Sequence, residues 1–361
     1  MDDVPRIRDR IDEIDQEIVQ LLKSRYENAR NLGRIKARRG LEYRDPEREK
    51  IIHQKTGRVA TALNLDPRLV RPIFDQIFNL AIQGQKEQSG QSTKRLDKTK
   101  ILIVGGTGGM GRLFARFLAM EGATVKLAGR QIDKTRTAAK EIEVEAGTIL
   151  DTADSDVVIL SVPMGESIRV ATETASLMKE GALLIDLASV KVGISDKISE
   201  KVPKKIEYVS LHPLFGPSTD HFQDQELIVV PYNIGQRWSR LARVLSANGA
   251  RLVTTSASQH DKAMASAQGL HHFALISLGI ALDGLGGEPR PRSLSDTEKR
   301  IASLLESWDT IVNIQQLNSF VPEIRQKFVE VSTRLAQAKL KQSGSLNKRL
   351  GSNVQKWSRK L

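Results

Sequence analysis

Ile101-Leu102-Ile103-Val104-Gly105-Gly106-Thr107-Gly108-Gly109-Met110-Gly111 is the stretch whose reading decides the fold. Ile101 to Val104 are consecutive apolar residues, as in a short strand buried on both faces, and the amphipathic run Arg112 to Met120 follows the glycines at once. From Gly106 to Gly111 the spacing is G-x-G-x-x-G. In a strand, turn and helix read in that order, Gly106 permits the tight turn, Gly108 lets a pyrophosphate approach the backbone, and Gly111 allows close packing of helix on strand. The N–H groups that open the helix receive the anion. A dinucleotide is therefore expected on Gly106, Thr107, Gly108, Gly109, Met110 and Gly111. A Gly-rich structural turn shares the spacing but does not require the flanking strand and helix.

Downstream, Thr124 to Ala128 reads as the next strand and ends at Gly129-Arg130, nineteen residues past Gly111. An NAD site commonly carries an acid there, whereas a cation accommodates the 2′-phosphate of NADP. Arg130, with Lys134 one helical turn on, favours NADP and leaves NAD possible. Further strands are expected at Asp156 to Val162, whose end Ser161-Val162-Pro163 joins the cofactor set, and at Leu183 to Leu187, before Ala188-Ser189-Val190-Lys191. Tyr208 to Leu211, Leu227 to Val230 and Arg251 to Thr254 continue the series. Alternation with helical segments predicts a parallel, doubly wound sheet. His212, in His212-Pro213-Leu214-Phe215-Gly216-Pro217, falls at a carboxyl strand end, where such sheets bind ligands, so it is a candidate acid-base group as well as a candidate structural histidine. From Ser258 the sequence is mainly helical and carries His260-Asp261 and Gln268-Gly269-Leu270-His271-His272. With no Cys, no HExxH and no acidic ligand set at metal spacing, no metal site is expected.

Upstream, residues 4–38 have the pattern of one long helix, with Ile7, Ile11, Ile14, Ile18 and Leu21 at alternating steps of four and three. Arg25 falls where the next apolar residue belongs, and Lys36 lies eleven residues on, about 20° away around the helix. Arg8 is about 100° off that face and is expected to serve a different pocket. Arg39-Gly40-Leu41 breaks the helix, and Asp45-Pro46 opens a second that places Asp45, Arg48 and Glu49 on one side. Asn64-Leu65-Asp66-Pro67 opens a third, which runs through Leu69, Ile73, Ile77 and Leu80 to Gln85. Three helices bury little core, which predicts a homodimer; a plain helical dimerisation domain with surface ion pairs has the same periodicity.

The formal charge of +12 raises nucleic acid as a partner, but from Val331 to Leu361 there are eight Lys or Arg and no acid, so most of the excess sits in that tail. Only Trp357 interrupts the tail with a ring, so it lacks a base-stacking platform and nucleic acid is not the expected partner. The start Met1-Asp2-Asp3-Val4-Pro5 is unlike a signal peptide, and no apolar run is long enough to span a bilayer. A cytoplasmic protein without membrane contact is expected.

Arg8, Arg25, Lys36, Asp45, Arg48, Glu49 and Gln85 resemble, position by position, the active-site series of the all-helical (AroQ-type) chorismate mutases. The resemblance implies an interlocked dimer in which Arg8 reaches the other subunit's pocket, carboxylate binding by Arg8, Arg25 and Arg48, and Lys36 and Gln85 at the ether oxygen of chorismate. Ala81 stands where that family often has a hydroxyl residue. VGGTGGMGRLFARFL, SVP, DLASVK, LHPLFGPS and the segment from His260-Asp261 to Gln268-Gly269-Leu270-His271-His272-Phe273 resemble the TyrA prephenate dehydrogenases from about residue 99 to 275. That resemblance implies oxidative decarboxylation of prephenate to 4-hydroxyphenylpyruvate with NAD(P), His212 taking the hydroxyl proton and Ser189 nearby. His260, Gln268 and His272 carry over with them. For the arginine that holds the prephenate carboxylate, Arg300 is the match if two residues are inserted after it, and without that gap Trp308 occupies the site.

The expected organisation is multidomain: a three-helix all-α mutase module (1–88), a linker (89–98), an α/β Rossmann domain (99–256), and an all-α substrate and dimerisation domain with a basic tail (257–361). Together the two resemblances imply a bifunctional enzyme of tyrosine biosynthesis. Two other readings stay open: a mutase whose impaired dehydrogenase-like half only binds NADP as a regulator, and a basic nucleic-acid-binding protein on a borrowed fold.

Overall fold

Contacts divide the chain into two units, one of Met1–Asp97 with Met120–Gly122 and one of Lys98–Ala119 with Ala123–Leu361. The computed structural model describes residues 3–39, 41, 43–88, 95–219, 221–283, 291–337 and 352. Residues 89–94 of the expected linker and nearly all of the basic tail lie outside the described residues. No helix among them is long and apolar enough to cross a membrane.

The first unit holds three helices, α1 (Asp3–Arg39), α2 (Pro46–Ala62) and α3 (Pro67–Gln88). Asp45 caps α2 by accepting the Arg48 backbone N–H at 3.0 Å, with Pro46 at the position where a missing N–H costs nothing. Asn64 turns the chain toward α3 in the left-handed region (φ +56°). At Gly33 α1 comes close to α3, where an added Cβ would lie 2.3 Å from Gln85 O. Burial behind that contact is modest and includes Ala29, Ala60, Phe78 and Ala81. Ile7, Ile11, Ile14, Ile18 and Leu21 remain 40–70% exposed, so this stretch of the α1 stripe is not covered by the described residues.

The second unit opens with β1 (Lys100–Val104), α4 (Gly109–Met120), β2 (Thr124–Ala128), α5 (Ile132–Glu141), a two-residue β3 (Glu145–Ala146), β4 (Val157–Leu160), α6 (Met164–Leu177) and β5 (Leu183–Asp186). It continues with α7 (Ser195–Lys201), β6 (Glu207–Pro213), β7 (Glu226–Asn233), α8 (Gln236–Ala247) and β8 (Arg251–Thr254). The strands form one sheet in the order β3-β2-β1-β4-β5-β6-β7-β8. Every pair is parallel except β6 with β7, so the sheet departs from the all-parallel expectation at that one pair. Strand order reverses between β1 and β4, and a doubly wound sheet binds its ligand outside the carboxyl ends at such a switch point. Leu102, Val158 and Leu184 are fully buried against Val170, Ala171 and Ile198 of the flanking helices, which explains the unbroken apolar runs of these strands.

Beyond β8 the chain is helical: α9 (Ala257–Met264), a π-helical turn (Ala265–Leu270), α10 (His271–Ala281), α11 (Arg292–Ser303), α12 (Trp308–Leu317) and α13 (Val321–Gln337). Gly269 lets the π turn approach α13, since a Cβ there would lie 2.5 Å from a Val321 methyl. The α10 sequence, HHFALISLGIA, is nearly all apolar, yet none of its residues is buried within the chain.

Candidate active sites

In the helical unit, the cations of the α1 stripe point to α3 and to the loop after α1. Arg25 is half-buried, donates to Ile77 O at 3.0 Å, and lies with its Cζ 5.6 Å from the Phe78 ring centroid. Burial lowers its pKa, and an arginine stays charged all the same. Lys36 donates to Tyr43 O at 2.7 Å, and Glu49 pairs with Arg44 at 3.1 Å. Gln85 is 5% exposed, and its Oε1 is buried without a partner among the described residues. Turning the amide by 180° exchanges its acceptor and donor ends, so either can face a ligand. Asp45 and Arg48 stand exposed at the start of α2, and Arg8 is exposed on α1, a different setting from the half-buried Arg25 and Lys36.

In the sheet unit the glycine turn forms as the spacing requires, with one displacement. The left-handed residue is Gly105 (φ +83°), one position before Gly106. An added Cβ at Gly105 would lie 2.3 Å from Ser161 O, so the ends of β1 and β4 touch at the switch point and bring Ser161, Val162 and Pro163 beside the turn. Gly106 and Gly111 close on each other, a Cβ on Gly111 falling 2.8 Å from Gly106 Cα. At Gly108 the nearest atom would be Gly105 O at 3.5 Å, so its face is open. Here the N–H groups of Gly109, Met110 and Gly111 open α4 without intrahelical partners. An open glycine face beside such donors fits a pyrophosphate. Arg112 braces the turn by donating to Thr107 O at 3.1 Å and pairing with Glu141. Arg130 and Lys134 are exposed at the end of β2 and the start of α5.

His212 ends β6, buried at 3% exposure, and the turn of the following segment brings Pro217 Cβ to 2.6 Å from where a Gly109 Cβ would be. The segment after His212 and the nucleotide turn therefore adjoin. His212 Nδ1 lies 2.8 Å from His260 Nε2, and His260 Nδ1 lies 2.7 Å from Asp261 Oδ1. Burial pushes the His212 pKa well below 6.5, helped by the Lys191 cation and by His260. Burial likewise lowers that of His260, against the opposing pull of Asp261.

Lys191 is the hub beneath these groups. Fully buried, its Nζ donates to Ala188 O at 2.7 Å, Ser210 Oγ at 2.6 Å and Leu211 O at 2.8 Å, with Asp186 at 4.0 Å. Burial lowers its pKa to about 8 in spite of Asp186 and Asp261. Asp186 accepts from Tyr208 OH at 2.8 Å and from the Ala188 N–H at 3.0 Å. Asn318 ties α12 to the group by donating to Asp261 O at 2.8 Å. Ser189 is half-buried between Ala188 and Lys191, on the loop that Lys191 fastens to Leu211, the neighbour of His212.

The remaining expected residues are placed less closely. Gln268, on the π turn, and His272, on α10, each keep a buried acceptor, Oε1 and Nδ1, without a partner among the described residues. Arg300 is exposed on α11, as is Trp308 at the start of α12, and no hydrogen bond or ion pair ties either side chain to the His212 group. Lys191, Asp186 and Asp261 are missing from the set expected from sequence. All three sit in quoted motifs, Asp186 and Lys191 in DLASVK and Asp261 in His260-Asp261, and the signal was their juxtaposition with small and apolar residues that have to be buried.

Residues 7–86 match the family model of type II chorismate mutases, and residues 114–254 match that of the prephenate dehydrogenase nucleotide-binding domain. The T-protein of Enterobacter agglomerans is 31% identical over 276 residues, covering 76% of this chain and 70% of that one. A Methanocaldococcus jannaschii protein named "Probable arogenate/prephenate dehydrogenase" is 31% identical over 254 residues, 66% of this chain, which spans 56% of that protein's length. Prephenate dehydrogenase from A. aeolicus, solved with hydroxyphenyl propionate and NAD+, shares the fold at a TM-score of 0.58 and 20% identity, covering 73% of this chain and 98% of that one.

Proposed function

Since the chain belongs to the T-protein family, in which a chorismate mutase is fused to a prephenate dehydrogenase, we propose that its helical unit converts chorismate to prephenate and its sheet unit oxidises and decarboxylates that product to 4-hydroxyphenylpyruvate. The observation that carries the second activity is the buried, neutral His212 at a carboxyl strand end adjoining the glycine turn. Support for the first is that the helical unit holds half-buried Arg25 and Lys36 together with Gln85, whose Oε1 is buried without a partner among the described residues.

In the helical unit the guanidinium groups of Arg25 and Arg48 bind the two carboxylates of chorismate, and Arg8 supplies a third cation to the partner subunit's site. Lys36 and Gln85 donate to the ether oxygen, which gains charge as its bond to the ring lengthens, and Asp45 and Glu49 hold the cations and the substrate hydroxyl in register. A homodimer accounts for the uncovered α1 stripe and for α10, whose apolar residues are all unburied in the single chain.

In the sheet unit a nicotinamide dinucleotide, when bound, accepts the hydride. The turn from Gly106 to Gly111 would hold its pyrophosphate, with Ser161, Val162 and Pro163 beside that turn, and Arg130 with Lys134 would favour the additional phosphate of NADP. His212 takes the hydroxyl proton while the ring carbon becomes a carbonyl. Loss of the ring carboxylate as carbon dioxide then sends an electron pair to that oxygen, and His212 returns the proton to form the phenol. Ser189, Gln268 and His272 contact the substrate, and Arg300 is assigned its carboxylate on the strength of the resemblance.

One preparation tests both halves. Arg25→Ala is expected to abolish mutase turnover and spare dehydrogenase turnover on supplied prephenate. His212→Asn is expected to do the reverse, lowering dehydrogenase kcat by roughly 100- to 10,000-fold with little change in KM. A His212→Asn enzyme with wild-type dehydrogenase kcat removes the base from this reading, and a wild-type chain without dehydrogenase turnover leaves the impaired-half reading standing.

A further inference from the structure

A neutral imidazole has one donor nitrogen and one acceptor nitrogen, and the partner of one settles the role of the other. At the His212 site the partners form a line. Asp261 receives the Lys191 N–H on Oδ1 at 2.9 Å and the Val192 N–H on Oδ2 at 2.8 Å. Both oxygens accept from backbone N–H groups and an ionised carboxylate can only accept, so the 2.7 Å contact to His260 Nδ1 has its proton on the histidine. In a neutral His260 the lone pair is then on Nε2, and the 2.8 Å contact to His212 Nδ1 has its proton on His212. What remains on His212 is a lone pair at Nε2, the ring nitrogen without a hydrogen-bond partner among the described residues.

We propose that Asp261 and His260 are positioning residues that lock His212 in its Nδ1–H tautomer, so that Nε2 is the nitrogen that takes the substrate's hydroxyl proton. The inference deepens the dehydrogenase reading and rests on it. The alternative protonation, a cationic His260 donating from both nitrogens, puts the proton of a neutral His212 on Nε2 and blocks the base. Burial of both rings and the nearby Lys191 cation oppose that state. Neither Asp261 nor His260 needs to touch substrate: His260 is 2% exposed with both nitrogens engaged, and Asp261 is fully buried. During the reaction the hydroxyl proton moves to Nε2 as the carbon bearing that hydroxyl becomes a carbonyl, the hydride acceptor being what a bound nicotinamide would supply. The imidazolium keeps its Nδ1–H bond to His260, and the proton returns to the ring oxygen as carbon dioxide departs.

The test is Asp261→Asn in the full chain. With its oxygen kept on the Val192 N–H, the carboxamide puts an NH2 where Oδ1 accepted from the Lys191 N–H and from His260 Nδ1; it gives up the Lys191 bond and donates to His260 Nδ1, which drives the proton of His260 to Nε2 and that of His212 from Nδ1 to Nε2. With 15N-labelled histidine, the six rings are resolved by NMR and His212 is assigned by its loss in His212→Asn. Wild type is expected to show a protonated Nδ1 and a lone pair at Nε2, with the reverse in Asp261→Asn. Dehydrogenase kcat is expected to fall by roughly 100- to 10,000-fold, as when the orienting acid of a catalytic histidine becomes an amide, with prephenate KM within about threefold by the same uniform-binding logic. His260→Gln provides the rescue: a glutamine donates to Asp261 from Nε2 and accepts from His212 at Oε1, so His212 keeps its tautomer and most of its rate, whereas His260→Leu loses both. This pair carries the test if Asp261→Asn does not fold. An unswapped tautomer in Asp261→Asn, a swapped one with unchanged kcat, or equal rates in His260→Gln and His260→Leu overturns the proposal. The NMR readout needs no turnover, so a wild-type chain that shows the Nδ1–H form but no dehydrogenase activity sinks the functional reading and leaves the lock.

Discussion

Lys191→Met sets two opposed effects at one buried atom against each other. The ammonium is fully buried, and its pKa is lowered from 10.5 to about 8; at about 1.36 kcal/mol per unit, keeping it charged at neutral pH costs on the order of 3 kcal/mol. Methionine, of similar reach, removes that cost. It also removes the donor for Ala188 O, Ser210 Oγ and Leu211 O and the cation beside Asp186. Ser210 Oγ keeps a second partner in Ser195 Oγ at 2.8 Å, but the two carbonyls and the Asp186 charge are left short. At roughly 1–3 kcal/mol for each unsatisfied buried acceptor, and 3–5 kcal/mol for breaking a buried charge pair, the losses exceed the gain by at least about 2 kcal/mol. For a unit of this size that is a fall in Tm of at least about 4 °C. Calorimetry checks it, with mutase turnover as a control for the helical unit. Two further signs follow. Wild-type stability should rise with pH between about 8 and 10.4, because over that window the unfolded chain binds the lysine proton and the folded chain does not; the variant lacks this slope. Lys191 also helps hold His212 below 6.5, so without it the His212 pKa rises and the acidic limb of dehydrogenase kcat moves to higher pH. An unchanged or raised Tm together with an unmoved limb would refute the view of Lys191 as a charged hub.

Arg130→Asp is expected to shift the ratio of kcat/KM from NADP toward NAD, because it replaces attraction for a 2′-phosphate by repulsion at the exposed end of β2; an unchanged ratio means that the cation serves another purpose. Gly105→Ala is expected to abolish dinucleotide binding by equilibrium dialysis. The alanine would occupy a left-handed φ of +83° with its methyl 2.3 Å from Ser161 O, and wild-type affinity would show that the β1–β4 contact yields freely. Gly108→Ala, whose Cβ meets nothing closer than 3.5 Å, should fold normally and lose dinucleotide affinity only because the methyl intrudes on the ligand, which makes normal stability with at least tenfold weaker binding the diagnostic combination.

Much of the sheet unit could be read from hydrophobic pattern. The Thr124–Ala128 and Arg251–Thr254 strands have the bounds their sequences predict, because each is a short apolar run closed by a turn signal. Pattern carries no direction, however. Leu227 to Val230 reads as a buried strand whether it runs parallel or antiparallel, and the antiparallel β6–β7 register, from His212 opposite Ile228 to Tyr208 opposite Asn233, is not contained in that pattern. Gly105 shows a similar limit: with Gly105 and Gly106 adjacent, spacing selects the pair that fits G-x-G-x-x-G, while the steric demand for a left-handed residue arises from the neighbouring β4 end. In the helical unit, Arg25 and Lys36 were legible because a cation interrupts an apolar stripe. Gln85 needed the resemblance, since a glutamine in a polar helix end has no local signal until Gly33 brings α1 against it.

Lys191 was the hardest residue to read, and the reason bears on how the site works. Lysine is the residue type least expected in a core, so a sequence pattern assigns it to the surface; only three converging acceptors and two nearby carboxylates keep it inside. A neutral donor in its place would spare the cost of burial, but it would leave His212 freer to gain a proton at mildly acid pH and so to lose its acceptor. The cation thus stabilises no net charge of its own in the base. It disfavours the protonated ground state of His212 while the backbone bonds of Lys191 and Val192 hold Asp261 in line behind His260. The loop that carries Ser189, the strand that ends in His212 and the helix that begins the all-α region are therefore joined at a single side chain and its own peptide group. Shifting any one of them by an ångström costs a charged hydrogen bond in a buried, low-dielectric setting, where such bonds are strongest.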